Sequence, residues 1–427
     1  REIFAQQPNR LFVRILVMTE EHVRVIQFDR GGALYSPLIP YHDEPDTLMR
    51  LIIGLSSVDE AELGLDTTIQ WGAYHNGTGR KTPGTISVFN KTSNQWSSYR
   101  MRGVDPVFQR NEIIGRATRM WHVVDSGGQI LVVKDAWIEK KREAEHYYLL
   151  KARGVMGVQQ LVDYEDRTGL RHGELKFLRP ACEDGVGRPF ENKVFQRIVT
   201  PCYGEVLETS THEHKIFAAL HDAIAAHERL LDSGTLHCDV SLGNILFGVP
   251  GAPDGLRGIL IDLDLAVRVQ FHQKPLNPLT SGTLYTQSQF LLRGYGLRFR
   301  PAHDYLDDLE SFFWTFVHLI YDEVDHEQDW AQGFIDAFES NKGESGQAKR
   351  AFLERRIRIS DIPKCWSEEC GHVLIAFQQV MRKVVREKEA IVKSMDREWD
   401  PAQMRNLHAN KRKHYQDVLD ILDMVLY

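Results

Sequence analysis

The 427-residue chain has few of the features that mark membrane insertion, export or nucleic-acid binding. Its five cysteines form no C-x-x-C pair and have no matching histidine spacing, so neither a disulfide framework nor a zinc motif is indicated. No run of 18 apolar residues occurs, so no membrane span is predicted. The net charge is −7 and no long block of Lys and Arg occurs, so no nucleic-acid surface is expected. We therefore expect an intracellular protein, in cytoplasm or nucleus, with reduced thiols.

Internal repeats and low-complexity tracts are also absent, and no Pro- or Ser-rich linker separates Tyr99 from Ile113. The chain is longer than one hydrophobic core usually allows, and hydrophobic residues make up 42% of it, so two or three packed units are expected. Residues 11–18 and 23–29 are β-like runs, and residues 46–55 have their leucines spaced for one helical face. These patterns predict a small α+β unit at the amino terminus.

Two apolar segments with acidic residues carry the chemistry, LHCDVSLGNILF at 236–247 and ILIDLDLAV at 259–267. The first sets Asp239 five residues before Asn244, and the second places Asp262 after a β-type run. Magnesium-assisted phosphoryl transfer needs a carboxylate to orient the attacking hydroxyl and further oxygen ligands to hold the metal on a triphosphate. We therefore interpret Asp239 as the base and Asn244 and Asp262 as metal ligands.

A lysine and a glutamate upstream complete this set of charged groups. Lys134 ends the β-branched run QILVVK, from which its ammonium would emerge toward phosphate oxygens. Glu145 begins a predicted helix, with Tyr148 and Leu149 at i+3 and i+4 to pack that helix inward. For this reason we expect Glu145, rather than Glu143, to pair with Lys134.

The carboxy-terminal half is predicted to be mainly helical. Residues 212–231 carry an apolar stripe, and residues 305–321 are apolar on most faces, as in a helix at the centre of a lobe. Residues 329–358 are predicted to be helical with a glycine-containing break at 342–346. Four histidines of the first segment are expected to be capping or surface residues: His212, His214, His221 and His227.

These motifs resemble those of eukaryotic protein kinases and, within them, the fungal-type protein kinase family. The resemblance covers nearly the whole chain, through FDRGG, ELGLDTTI, IIGRATRMWHV, VVKDAW, LHCDVSLGNILF, LIDLDLA and HDYLDDLESFFW. It implies an α+β, bilobal protein-kinase-like fold with a β-rich small lobe at 109–204 and a mainly α-helical large lobe at 205–427. Residues 1–108 would be an amino-terminal α+β extension packed on the small lobe, with 201–204 as the adenine-binding connector between the lobes.

The resemblance also assigns roles to single residues. Lys134 matches the lysine of the third small-lobe strand and Glu145 the glutamate of the following helix. Asp239 matches the catalytic-loop aspartate, Asn244 the asparagine of that loop, and Asp262 the metal-binding aspartate of the Asp-Phe-Gly motif. The family binds ATP and Mg²⁺ through these groups.

Other positions match in part or depart from the family pattern. Asp308 matches the aspartate that braces the catalytic loop, whereas Cys238 replaces the usual arginine before the catalytic aspartate. The glycine-rich loop retains Gly115 and continues with Ala117, and both are assigned to nucleotide binding. Ser241 stands where protein-serine kinases commonly have lysine, which leaves Thr283 as the expected neighbour of Asp239 and the fourth catalytic residue. Phe290 lies near the expected glutamate of the activation segment, so the ion pair made there is predicted to be missing.

The function that follows is an ATP- and Mg²⁺-dependent serine/threonine protein kinase with a protein substrate. One alternative is a small-molecule phosphotransferase of the choline or aminoglycoside type, which shares the H-x-D-x-x-x-x-N pattern. Another is a pseudokinase scaffold, which the altered glycine loop suggests and the intact Lys134, Asp239, Asn244 and Asp262 oppose. The sequence carries no signal for an oligomeric state.

Overall fold

The computed structural model describes residues 1–72, 81–179, 190–210, 212–269, 282–293, 302–321, 329–395, 400 and 402–427. The chain forms two compact units. The first comprises residues 1–146 and 161–202, and the second comprises residues 147–160 and 203–427. The first unit is rich in β-strands and the second is mainly helical, which confirms the predicted α+β class. Residues 147–160, which the sequence placed in the small lobe, belong to the second unit.

The described residues of the first unit form twelve strands. They are β1 (Val13–Met18), β2 (His22–Asp29), β3 (Gly32–Tyr35), β4 (Ile39–Pro40), β5 (Ile69–Gly72), β6 (Thr82–Asn90), β7 (Gln95–Met101), β8 (Phe108–Gln109), β9 (Arg119–Val124), β10 (Ile130–Glu139), β11 (Asp163–Asp166) and β12 (Lys193–Pro201). The first four form a small antiparallel sheet in which β2 pairs with β1, β3 and β4. The remaining strands form one sheet of order β11-β12-β10-β9-β7-β6-β5, with β8 paired to β9.

The larger sheet crosses the predicted boundary at residue 108. Strand β7 pairs with β9 at Arg100↔Val124 and Met101↔Val123, so the strands of residues 69–101 extend the sheet that carries Lys134. One buried apolar cluster lies on this sheet and takes residues from both sides of the boundary. It consists of Ile69, Ile86, Val88, Tyr99, Met101, Trp121, Val123, Leu131, Val133 and Val199. Because the cluster is shared, residues 69–101 lack a separate core there.

Four helices begin within the described part of the first unit: α1 (Glu2–Gln6), α2 (Pro45–Leu55), α3 (Glu145–Lys151) and α4 (Leu175–Leu178). Helix α2 is the predicted amino-terminal helix, with Pro45 at its first position, where a missing N–H costs no hydrogen bond. None of its residues is buried, although Met49, Ile52 and Ile53 are apolar. The leucine spacing at residues 46–55 predicted this helix correctly, although its apolar face is not buried.

The second unit contains eight helices among its described residues. They are α5 (Glu213–Asp232), α6 (Gln289–Arg293), α7 (Tyr305–Tyr321), α8 (Asp329–Glu339), α9 (Lys342–Glu354), α10 (Glu368–Ser394), α11 (Arg405–Ala409) and α12 (Lys411–Leu426). Two short antiparallel pairs complete it, from β13 (Thr235–Leu236), β14 (Ile245–Phe247), β15 (Gly258–Leu260) and β16 (Val267–Arg268). Sixteen of the 17 residues of α7 are buried, which confirms its prediction as a central helix.

The break predicted at residues 342–346 was wrong in its position. Helix α8 ends at Glu339 and α9 begins at Lys342, so the glycines at 343 and 346 lie inside α9. Asn341 is the N-cap of α9, because its side chain accepts hydrogen bonds from the N–H groups of Gly343 and Glu344. The capping asparagine, rather than the glycines, marks the boundary.

Two absences hold for the described part of the chain. None of its helices combines the length and the apolar character that crossing a membrane requires. Its cysteines, Cys202, Cys238, Cys365 and Cys370, are free thiols. The glycines and prolines of residues 179–191 predict a surface loop, most of which lies outside the described residues.

Candidate active site

Asp239 lies on the loop between β13 and β14, and its position is fixed by hydrogen bonds from Thr283 and Asn244. Its carboxylate Oδ1 accepts a hydrogen bond from the Thr283 N–H at 2.8 Å and another from the Thr283 hydroxyl at 3.0 Å. Asn244 donates from Nδ2 to the Asp239 carbonyl oxygen at 2.8 Å and to Oδ2 at 3.3 Å. The structure thus brings together three of the residues that the sequence assigned to catalysis.

His237 connects this loop to the segment that carries Asp262. Its Nδ1 lies 3.2 Å from the N–H of Asp239, which donates to it, and its Nε2 donates to the Ile261 carbonyl oxygen at 2.9 Å. An imidazole that accepts at one nitrogen and donates at the other is neutral. Burial lowers the pKa of His237, in agreement with that tautomer. His237 is the first residue of the H-x-D-x-x-x-x-N pattern, but no role was predicted for it from the sequence.

Asp262 and Asn244 lie at the same end of a hairpin. Strands β14 and β15 pair at Ile245↔Leu260, and the Ile261 N–H donates to the Asn244 carbonyl at 3.0 Å. Asp262 has a left-handed backbone conformation, with φ of +66°, and its N–H donates to Gln159 Oε1 at 3.3 Å. Aspartate tolerates that conformation better than most side chains. This arrangement brings the backbone of residue 244 close to that of residues 261 and 262, and an amide and a carboxylate are ligands that Mg²⁺ accepts.

In the first unit, Lys134 and Glu145 form the predicted pair. The distance from Lys134 Nζ to Glu145 Oε2 is 2.8 Å, and their side chains are 9% and 6% exposed. Strand β10 is buried along most of its length, so Lys134 is fixed within a packed sheet. Glu145 is the first residue of α3, where a negative charge is favoured by the helix dipole. A buried ammonium held by a carboxylate is the arrangement that the sequence predicted for a lysine that binds phosphate oxygens.

Gly115 and Ala117 lie between β8 and β9, but their surroundings differ. The Gly115 backbone has φ of +145°, and its carbonyl accepts a hydrogen bond from Lys193 Nζ at 2.9 Å. Ala117 has φ of +48° and is 3% exposed. Ala117 belongs to an apolar cluster with Leu11, Phe12, Trp137, Leu175, Leu178 and Phe195. This burial favours a packing role for Ala117 over contact with a nucleotide.

Asp308, on α7, braces the catalytic loop as the resemblance implied. Its Oδ2 accepts from the Cys238 N–H at 3.0 Å and from His227 Nε2 at 2.9 Å, and its Oδ1 contacts His303 Nε2 at 2.7 Å. Burial alone would raise the pKa of Asp308, but His303 and His227 hold it well below the usual range. The expectation that His227 is a surface or capping residue was wrong. It is 1% exposed, and its Nδ1 is hydrogen-bonded to the Tyr415 hydroxyl at 2.6 Å.

The segment that precedes α6 is tied to α7 through neutral donors. Ser288 Oγ donates to Asp307 Oδ1 at 2.5 Å, and the Gln289 N–H donates to Glu310 Oε1 at 2.9 Å. Phe290 is buried, in keeping with its replacement of the usual glutamate. These hydrogen bonds anchor the end of the segment to α7.

A β-rich unit with a buried lysine–glutamate pair and a helical unit with an aspartate–asparagine loop are the parts of a protein-kinase-like fold. The chain belongs to the fungal protein kinase family, whose model matches residues 1–179 and 170–320. A solved chain titled "Structure of vaccinia related kinase 3" is similar over 84% of this chain and 93% of that chain, with 13% identity and a TM-score of 0.45. No curated protein matches the chain.

Proposed function

We propose that the protein is an ATP- and Mg²⁺-dependent kinase that phosphorylates serine and threonine hydroxyls of proteins. Asp239 would orient the attacking hydroxyl, and Lys134 would position the phosphates of ATP. Asn244 and Asp262 would hold Mg²⁺, which neutralises charge on the triphosphate when it is bound. Because Asn244 Nδ2 donates to Asp239, the amide oxygen of Asn244 is the atom left as a metal ligand. Membership of a protein kinase family supports the reaction type.

The observation that carries this proposal is the hydrogen bond from the Thr283 hydroxyl to Asp239 Oδ1 at 3.0 Å. A substrate serine or threonine must make the same contact, with its hydroxyl donating to the base. Gly282 has φ of +137°, and a Cβ added there would lie 2.9 Å from Gln287 Nε2 and 3.5 Å from Asp239 Oδ1. The chain therefore passes close to the Asp239 carboxylate, in the way that an extended peptide substrate would.

The direct test is a transfer assay with labelled ATP and Mg²⁺. Basic, acidic and casein-like proteins are offered as acceptors, with choline and aminoglycosides offered in parallel. We expect label on protein serine or threonine, identified by phosphoamino-acid analysis, and none after chelation of Mg²⁺. Label on the small molecules alone would establish the phosphotransferase alternative, and label on no acceptor would support the scaffold alternative.

Lys134→Met is expected to lower kcat/KM by about a hundredfold or more, because it removes a preorganised cation from the phosphates. Methionine fills the buried space but removes the cation beside Glu145, so thermal unfolding of the same preparation is measured to show that the variant is folded. Steady-state kinetics with varied ATP provide the measurement, and Lys91→Met, at an exposed lysine, is the control. Glu145→Gln should lower activity less, since it leaves the ammonium in place. A Lys134→Met variant with near-normal turnover would show that Lys134 does not contact the nucleotide.

Activity is expected not to require phosphorylation within residues 268–290. Phosphate there normally bonds to the arginine that Cys238 replaces, so about 1–3 charge-assisted hydrogen bonds are unavailable. Hydrogen bonds that need no phosphate fix the described end of the segment. The Thr283 N–H donates to Asp239 Oδ1, and Lys349 Nζ donates to the Gln287 carbonyl oxygen at 2.6 Å.

Phosphatase treatment followed by the transfer assay tests this expectation, with phosphorylation mapped by mass spectrometry. Equal rates before and after complete dephosphorylation are expected. A large fall in rate that returns on rephosphorylation of the segment would contradict it. Residues 270–281 lie outside the described residues, so any phosphosite there is identified by the mapping.

A further inference from the structure

Three potential metal ligands of different chemistry meet beside the turn that carries Asp239. Cys238, His303 and Asp308 each offer one donor atom, and the three atoms lie within 4.8 Å of one another. Cys238 is 5% exposed, Asp308 is fully buried, and the side chain of His303 is 12% exposed. Thiolate, imidazole and carboxylate are the ligands that zinc takes at about 2.0–2.3 Å, with a tetrahedral arrangement. His303 is the most exposed of the three side chains.

Contacts outside the cluster orient its members. Asp308 Oδ2 is held by the Cys238 N–H and by His227, which is held in turn by the Tyr415 hydroxyl at 2.6 Å. Cys238 has φ of +66°, a conformation that residues other than glycine seldom adopt and that fixes the direction of its side chain. A second layer of hydrogen bonds that fixes the ligands is typical of metal sites in proteins.

We propose that Cys238, His303 and Asp308 form a zinc-binding site that links the catalytic loop to α7. Zinc would displace the thiol proton of Cys238 and the imidazole proton that lies between His303 and Asp308, and both protons would pass to solvent. One water molecule would complete four ligands. The site is separate from the proposed Mg²⁺ ligands, Asn244 and Asp262.

The first test uses Co²⁺, because a cobalt–thiolate bond gives a charge-transfer absorption that reports cysteine ligation. The 427-residue protein, stripped of metal with a chelator and free of ATP and Mg²⁺, is titrated with Co²⁺ and then with Zn²⁺. We expect one Co²⁺ per chain, with the absorption abolished by Zn²⁺. Cys238→Ser should lose the absorption, whereas Cys370→Ser, at a second buried cysteine of the same unit, should retain it.

Zinc affinity distinguishes the residues that bind the metal from the residues that only orient its ligands. His303→Gln should weaken Zn²⁺ binding by more than about a hundredfold, whereas His227→Gln, which acts through Asp308, should weaken it by about 10–100-fold. Zn²⁺ should raise the Tm of the parent and of Cys370→Ser, and leave that of Cys238→Ser unchanged.

Absence of cobalt–thiolate absorption in the folded parent protein would overturn the proposal. Equal absorption in Cys238→Ser, or an equal zinc-induced Tm increase in that variant, would do the same. Should Cys238→Ser fail to fold, the stoichiometry in the parent and the affinity of His303→Gln still test the site. None of these measurements depends on phosphoryl transfer, so failure here is distinguishable from failure of the proposed kinase activity.

Discussion

Asp239→Asn and Asp262→Asn are each expected to abolish phosphoryl transfer while the fold remains intact. Each removes a charge that the proposed reaction needs, at the attacking hydroxyl for Asp239 and at the metal for Asp262. The loss should be about a hundredfold or more, as for other general bases and metal ligands. Asparagine suits both positions, since an amide oxygen at 239 can still accept from Thr283 and asparagine tolerates the φ of +66° at 262.

Kinetics and thermal unfolding, measured on the same preparations, distinguish lost chemistry from lost structure. Asp254→Asn is the matched control, because Asp254 is an aspartate of the same unit with a side chain that is 71% exposed. It should keep both its rate and its Tm. Near-normal turnover in Asp239→Asn or Asp262→Asn would show that the residue was assigned wrongly. A large fall in Tm would mean that the variant reports on folding instead.

Short-range patterns were sufficient to predict several of these contacts. The Lys134–Glu145 pair followed from the end of a β-branched run and from i+3 and i+4 packing in the next helix, both of which are local. Asp239 and Asn244 lie five residues apart in one loop, so their contact is local as well. Thr283 was expected near Asp239 only through the family resemblance, because 44 residues separate them.

Contacts made by long-range packing were beyond such patterns. His227 and Asp308 are 81 residues apart, and periodicity alone placed His227 on a helix without showing that α7 and Tyr415 would cover it. Cys238 lies 65 residues before His303 and has no spacing to it that a metal motif would show, since folding brings the Asp239 loop to the start of α7, where His303 and Asp308 are five residues apart. Ala117 was matched to a glycine-loop position, but the apolar cluster that buries it includes Leu11 and Phe12, more than 100 residues earlier.

The amino-terminal residues make a further long-range connection through buried charges. Arg197 of β12 donates to Asp66 Oδ2 at 3.0 Å and forms a two-point bond with Asp135 at 2.6 and 2.8 Å. Arg167 contacts Asp66 at 3.2 Å and Glu165 at 2.9 Å. Asp66 is 4% exposed and Arg197 is fully buried, so water cannot replace these bonds. The network joins residue 66 to strands β10, β11 and β12.

We propose on this basis that residues 1–108 are an integral part of the small lobe. Strands β5–β7 belong to the sheet of the small lobe, and the match to the family model includes residues 1–108 of this chain. Deleting residues 1–108 would remove Asp66 from two buried arginines and would expose the edge of β9. A deleted protein that is soluble, melts like the parent and keeps full activity would show the extension to be separable.

A single substitution tests the same connection without removing a strand. Asp66→Ala is expected to lower the free energy of unfolding by about 3–5 kcal/mol, because it leaves Arg167 and Arg197 buried with too little negative charge. Urea unfolding at neutral pH provides the measurement. Asp43→Ala, at an exposed aspartate of the same amino-terminal region, should change stability by no more than about 0.5 kcal/mol. An equally small change in Asp66→Ala would contradict the integral role.

The pH dependence of this effect gives a second, independent check. Burial would raise the pKa of Asp66, but Arg167 and Arg197 outweigh it and hold the pKa well below the usual value. A carboxyl group with a depressed pKa stabilises the fold fully above its unfolded pKa of about 3.9, and loses that contribution as the pH falls further. The difference in stability between the parent and Asp66→Asn should therefore be constant from pH 7 to about 5 and shrink below about 4. A difference that instead grew on acidification would mean that Asp66 is not held ionised by the two arginines.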